Sequence, residues 1–185
     1  MKSLLCKRGA CDKKRVQLFE ASVSKSALWC GESWALTVKQ KRQLRATQRA
    51  MLRLMFGPGR VKDEEYVPWI QRATRIAEER ARRAGMQCWL RQQLKLKWRW
   101  AGKVSRMEDE RWAKRTTTWR DSVWQAENSK CGTRPLRDRP GNRLRWEDEL
   151  RRFAKDLGDD PWQTLALDVE GWMALSEQFS DWAWR

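Results

Sequence analysis

The side chains with the clearest potential for catalysis are the paired aspartates of the Gly158-Asp159-Asp160 triplet. Neighbouring carboxylates hold two magnesium ions in enzymes that transfer nucleotides, where the pair occupies the tip of a β-hairpin. Here an amphipathic helical pattern precedes the triplet, and Pro161, which cannot donate to a strand ladder, follows it. We therefore predict a helix N-terminus, with Asp160 as the N-cap and Gln163 as the third residue of a capping box.

Other residue types that would support catalysis or metal binding are absent or scattered. The sequence contains no histidine, which excludes imidazole acid–base chemistry, histidine-dependent triads and zinc sites that need imidazole. Phosphate-binding glycine loops and nucleophile elbows are also missing. The cysteines form no CxxC pair, so reduced thiols are expected at Cys6, Cys11, Cys30, Cys88 and Cys131. We predict a protein that is not an enzyme, with no cofactor, no metal and no small-molecule substrate.

The charge of the chain indicates a polyanionic partner. Its 40 lysine and arginine residues outnumber 24 acidic residues, for a formal net charge of +16. The excess is uneven, because residues 1–60 carry a net +11 whereas residues 147–185 carry a net −6. Such a basic surface is typical of proteins that bind RNA or DNA. No apolar run is long enough for a membrane span, so an intracellular protein of the nucleus or cytoplasm is expected.

The first strongly patterned segment is residues 38–56, whose apolar positions repeat at helical spacing. No acidic residue interrupts residues 36–62, and the GPG turn at residues 57–59 should end the helix. An ordinary solvated helix face and a phosphate-binding face both fit this pattern. The arginines that fall three and four positions apart form one basic stripe: Arg42, Arg45, Arg49 and Arg53.

The stretch KLKWRWAGKVSRM at residues 95–107 admits two interpretations. Its opening alternation suggests a strand with a basic face, whereas a helix would place Leu94, Trp98 and Ala101 on one apolar side. The helix accounts for the whole stretch and the strand only for its first half, so we predict a helix that buries its tryptophans. The basic side chains proposed here to contact nucleic acid are Lys95, Lys97, Arg99, Lys103 and Arg106.

The sequence predicts a mainly α fold with a basic helical body, a flexible linker and a C-terminal amphipathic helical hairpin. Within the body, Pro68 should break a helix, and Gly85 and Gly102 should weaken the helical segment that follows it. The linker is rich in proline, glycine and arginine. The predicted parts are a basic tail over residues 1–17, the body over 18–126, the linker over 127–143 and an acidic hairpin over 144–185.

Five segments of the chain form a recognisable series. They are LFEASVSKSALWCGESWALT at 18–37, QRAMLRLMFG at 48–57, LKWRWAGKVSRMEDERW at 96–112, RPGNRLRWEDELRRF at 139–153 and WQTLALDVEGWMALSEQF at 162–179. In this order they resemble the thumb and post-thumb region of non-LTR (LINE-type) retrotransposon reverse transcriptases. The chain departs from that pattern at Trp29-Cys30, where the family usually has Tyr-Gly, and at Lys103, which replaces a histidine.

The resemblance implies a region without an active site of its own. In this family the polymerase palm, with its aspartate dyad, and the endonuclease domain lie upstream of every matched segment. The chain alone should then neither polymerise nor cleave, and its partners would be template–primer RNA or DNA and the palm of a full-length element. The linker adds three expected nucleic-acid-binding residues, Arg137, Arg139 and Arg143.

Two other interpretations of the sequence stay open. The chain could be a helical interaction module whose acidic hairpin docks a protein partner, or a decayed retroelement reading frame with no independent function.

Overall fold

A computed structural model describes residues 5–6, 9–118, 145–158 and 160–184. Within these ranges the chain consists of helices, turns and loops, and no strand occurs there, which confirms the predicted mainly α class. No helix of the described ranges is both long and apolar enough to cross a bilayer. The predicted linker at 127–143 lies outside the described residues.

The chain divides into two compact units. The N-terminal unit comprises the described parts of Met1–Gly31 and Val38–Gln93, and the C-terminal unit comprises those of Glu32–Thr37 and Leu94–Arg185.

The N-terminal unit begins with continuous helix. Helix α1 (Asp12–Phe19) passes into a π-helical turn (Glu20–Ser24) and then into α2 (Lys25–Ala27), so residues 12–27 are helical throughout. Phe19 stacks on the indole of Trp89, with ring centroids 5.7 Å apart.

A helical hairpin completes the N-terminal unit. Helix α3 (Val38–Phe56) has the predicted extent, and α4 (Tyr66–Arg83) packs against it through small buried alanines such as Ala73 and Ala77. The prediction that Pro68 breaks a helix is wrong. Pro68 lies in the first turn of α4, where a backbone N–H has no intrahelical acceptor and its loss costs little.

Two arginines donate hydrogen bonds to the carbonyls at the C-terminal end of α3. The guanidinium of Arg15 donates to the carbonyls of Leu5 and Met55 and lies 4.6 Å from the Phe56 ring centroid. Arg80 donates to the Phe56 carbonyl from α4. The last carbonyls of a helix lack intrahelical partners, so these arginines satisfy acceptors that would otherwise be buried unpaired.

Helix α5 (Trp89–Ser105) contains most of the KLKWRWAGKVSRM stretch, which confirms the helical prediction. Its residues from Leu94 onward belong to the C-terminal unit. There the indoles of Trp98 and Trp172 stack at 3.6 Å, and each N–H donates to the backbone carbonyl of the other residue, over 2.7 and 3.0 Å. Phe153 and Phe179 pack around this pair.

The remaining helices of the C-terminal unit depart from the predicted hairpin. They are α6 (Trp112–Thr118), α7 (Asp148–Leu157), α8 (Trp162–Leu165), α9 (Val169–Ala174) and α10 (Ser176–Trp184). The second arm of the predicted hairpin is one continuous helix, whereas the structure divides it into α8, α9 and α10. The capping box at Asp160 is a wrong prediction, because Pro161 is the N-cap of α8 and makes no side-chain cap bond. The carboxylate that does cap a helix is Asp168, which accepts from the N–H groups of Glu170 and Gly171 at the start of α9.

The paired-aspartate segment lies between helices, as predicted. Helix α7 ends before Gly158 and α8 begins after Pro161, so no described strand flanks the triplet. Asp159 itself lies outside the described residues.

Helix α5 continues without a break through Gly102, which the sequence marked as a weak point. Gly102 is buried, and a Cβ added to it would lie 2.7 Å from Nε1 of Trp172. The glycine therefore provides the space in which the tryptophan pair forms.

We predict that Gly102→Ala lowers the free energy of unfolding by about 1–3 kcal/mol, because the new methyl group overpacks a site with no room to relax. Thermal unfolding followed by circular dichroism measures the effect. Gly59→Ala is the matched control, since a Cβ there meets no atom within 4 Å. A Gly102→Ala protein as stable as this control would contradict the packing described.

A buried ion pair connects α5 with α7. The ammonium of Lys97 lies 2.6 Å from Oε2 of Glu149, and the two side chains are 0% and 4% exposed. The Trp146 ring centroid lies 5.7 Å from the same ammonium. Removing one partner of such a pair leaves a buried charge without compensation.

We therefore expect Lys97→Met to lower the free energy of unfolding by about 3–5 kcal/mol, and Lys97→Met/Glu149→Leu to recover most of that loss. Urea unfolding monitored by tryptophan fluorescence tests both variants. Lys95→Met, which breaks an ion pair with the exposed Glu177, should cost less than about 1 kcal/mol. Equal losses for Lys97→Met and Lys95→Met would argue against burial of the pair.

Cys30 lies at one of the positions where the chain departs from the retrotransposon pattern that it resembles, and its backbone conformation is strained. Its φ of +53° lies in the left-handed region, which glycine adopts without a Cβ clash. The family usually has glycine at the corresponding position.

Cys30→Gly should raise the free energy of unfolding by about 0.5–1 kcal/mol, the relieved strain less the added chain entropy of glycine. Gly85→Ala is the converse variant and should destabilise the protein, because Gly85 has a φ of +89° and a Cβ added there would meet no atom within 4 Å, so backbone strain is the main cost. Thermal melts that move both variants in one direction would contradict the backbone assignment.

Candidate nucleic-acid interface

The arginine stripe of α3 separates into two parts in the folded chain. Arg42 is exposed, and Arg45 is partly exposed one turn further along the helix. Arg49 forms an ion pair with Glu78 at 2.7 Å, and Arg53 donates to the hydroxyl of Thr74 at 3.0 Å. The first part of the stripe therefore faces solvent, while the second also contacts α4.

Lys39 is an exposed cation that was not among the residues of the predicted basic stripe. It lies three residues before Arg42, which places both side chains on one side of α3. The same three-residue spacing that defined the arginine stripe would have included this lysine.

Helix α4 adds basic residues, but several of them are paired with glutamates. Arg82 and Arg83 both donate to Glu79, and these hydrogen bonds lower the pKa of its carboxyl. In the loop before α4, the hydrogen bond from Arg72 is the main reason that the pKa of Glu64 falls to about 2. The basic surface of this helix is consequently smaller than its composition suggests.

An open groove of about 1020 Å³ runs beside these residues in the N-terminal unit. Its lining contains five arginines and two glutamates, and carboxylates hold four of the arginines, which are Arg49, Arg80, Arg82 and Arg83. These carboxylates compensate part of the positive charge of the groove within the fold itself.

The basic residues of α5 differ in their availability. Arg99 and Lys103 are exposed, and the ammonium of Lys103 lies 5.7 Å from the Trp100 ring centroid. Lys95 pairs with Glu177. Arg106 is exposed at the end of the helix and also donates to the carbonyl of Ala166 at 2.5 Å.

The prediction that Lys97 contacts nucleic acid is wrong. Its side chain is completely buried and bound to Glu149, so it cannot reach a phosphate in solution. The sequence placed it among the basic residues of an amphipathic helix, but Glu149, fifty-two positions away in sequence, compensates the charge inside the core. We exclude Lys97 from the candidate interface.

Arg137, Arg139 and Arg143 lie outside the described residues. In the part of the chain that the structure describes, no group of three histidine, cysteine or acidic side chains could hold a metal ion.

Comparison with known proteins gives one informative similarity. No family model matches the chain, and no solved structure matches it. The sequence is 28% identical over 174 residues to a Caenorhabditis elegans protein named as uncharacterized and transposon-derived. The match covers 89% of this chain and 54% of the relative, so the chain spans about half the length of the curated relative it matches.

Proposed function

We propose that this transposon-related chain is a non-catalytic C-terminal region of a non-LTR retrotransposon reverse transcriptase that binds template–primer nucleic acid. The ordered resemblance of five segments supports this origin, and the transposon-derived relative is in agreement with it. The palm of a full-length element would supply the polymerase chemistry. This chain would supply contacts to the nucleic-acid backbone.

The observation that carries the proposal is the exposed beginning of α3. Lys39 and Arg42 are exposed on one side of the helix, Arg45 follows one turn later, and no acidic residue lies within residues 36–62. A phosphate backbone lying along this side would release condensed counterions, which is the main source of affinity for a basic surface. In the C-terminal unit, Arg99 and Lys103 provide a second exposed pair.

The acidic C-terminal segment favours a second candidate function. Residues 147–185 carry a net charge of −6 and would repel a phosphate backbone. In the alternative proposal these helices dock a basic protein surface, and the positive charge of the body affects solubility or localisation only.

A salt series separates the two proposals. We expect a fluorescein-labelled primer–template to bind at 50 mM salt and to lose about a thousandfold or more in affinity by 200 mM, as a site of roughly 6–10 phosphate contacts does. Lys39→Ala/Arg42→Ala should reduce the slope of log K against log salt by about 2, one unit for each lost phosphate contact. Fluorescence anisotropy provides both quantities.

Arg82→Ala/Arg83→Ala is the matched control, because it removes the same number of charges from residues that Glu79 already holds. Its slope should change less than that of Lys39→Ala/Arg42→Ala. Identical slopes for the two double variants would show a diffuse charge effect rather than an interface on α3. Failure of the unaltered chain to bind at 50 mM salt would refute the nucleic-acid proposal and favour the docking alternative.

A further inference from the structure

Trp112 is an unusually exposed tryptophan in a chain that buries many others. Its side chain is 74% exposed at the first position of α6, whereas Trp98 and Trp172 of the same unit are almost fully buried. The guanidinium carbon of Arg115 lies 4.8 Å from the centroid of its ring. A large aromatic ring held in solvent by a cation is a typical element of sites that stack nucleobases.

The faces of α6 explain why this ring points outward. Ala113, Thr116 and Thr117 line a cavity of about 450 Å³ in the C-terminal unit, together with Trp100 and Trp146. Trp112 and Arg115 are three residues apart and lie on a common side of the helix, whereas Ala113 and Thr117 lie on the side that lines the cavity. Thr116, one turn after Trp112, lies at the border between the two sides, and the ring itself is left in solvent.

The ring lies in a segment of no net charge, because residues 108–115 carry three acidic and three basic side chains. Glu108, Asp109 and Glu110 precede it, and only Asp109 has a described ion pair, with Lys114 at 2.8 Å, which lowers the pKa of that aspartate. Such a segment attracts phosphates only weakly, so contact with the ring depends on an accessible base face. A duplex presents phosphates on its outside and keeps its bases stacked inside, whereas a single strand can extend an unpaired base towards the ring.

We propose that Trp112 is a stacking platform for an unpaired base of single-stranded nucleic acid, with Arg115 supporting the ring. The inference rests on the proposed nucleic-acid function and adds to it a preference for unpaired segments. The proposed interface then makes two kinds of contact. Basic residues neutralise phosphates, and Trp112 contacts a base without changing the number of phosphate contacts.

Binding of Trp112→Ala to a fluorescein-labelled single strand tests the inference. Loss of one stacked base should weaken binding by about 5- to 150-fold, and Trp112→Phe should retain most of the affinity because it keeps an aromatic face. The slope of log K against log salt should not change in either variant, since no charge is removed. A blunt-ended duplex of the same length should bind the unaltered chain and Trp112→Ala equally.

Trp29→Ala is the control, because Trp29 is 77% exposed but has no described cation over its ring, in contrast to Trp112. It should bind the single strand more tightly than Trp112→Ala does. Circular dichroism and thermal melts establish that both variants are folded. Parallel titrations with RNA and DNA strands of one sequence identify the strand that contacts Trp112 by the larger loss.

The outcomes separate this inference from the proposed function. If the unaltered chain binds nucleic acid but Trp112→Ala binds single strands with unchanged affinity, the stacking site is refuted and the proposed function stands. Equal losses on single strands and duplex would also refute it, because a base platform cannot act on a closed duplex. If the unaltered chain binds neither probe at 50 mM salt, the proposed function fails as well.

Discussion

Each tryptophan has one N–H group that needs an acceptor once the ring is buried, and this constraint determines how helices pack in both units. The indole of Trp89 donates to the hydroxyl of Ser24 over 2.7 Å in the N-terminal unit. In the C-terminal unit, Trp98 and Trp172 donate to each other's backbone carbonyls. A slip of one residue along either helix would leave both N–H groups unsatisfied, so the pair fixes the register as well as the contact.

The same core shows how close packing depends on residues that look unfavourable in isolation. Gly102 lowers the intrinsic helix propensity of α5, yet its missing side chain gives the Trp172 indole its place. Lys97 brings a charge into an apolar interior, where the carboxylate of Glu149 compensates it. Both residues constrain which helix can pack against α5, and in which orientation.

Because of ion pairing, fewer basic side chains are available to a partner than the sequence contains. Arg49 pairs with Glu78, and Glu79 holds Arg82 and Arg83. Lys39 and Arg42 at the beginning of α3 are exposed, and they form the main phosphate-contacting part of the proposed interface. Trp112 differs from these cations, because it lies in a segment of no net charge and its ring would contribute affinity by stacking rather than by electrostatic attraction.

The sequence alone determined the helical class, the extent of α3 and the helical state of the KLKWRWAGKVSRM stretch, because hydrophobic periodicity is a local property of the chain. It could not assign Lys97 to the core or Asp168, rather than Asp160, to a helix cap. A lysine in a basic stripe looks the same whether or not a distant glutamate meets it. Tertiary structure alone decided which charges are buried, paired or exposed, because those states depend on partners that are remote in sequence.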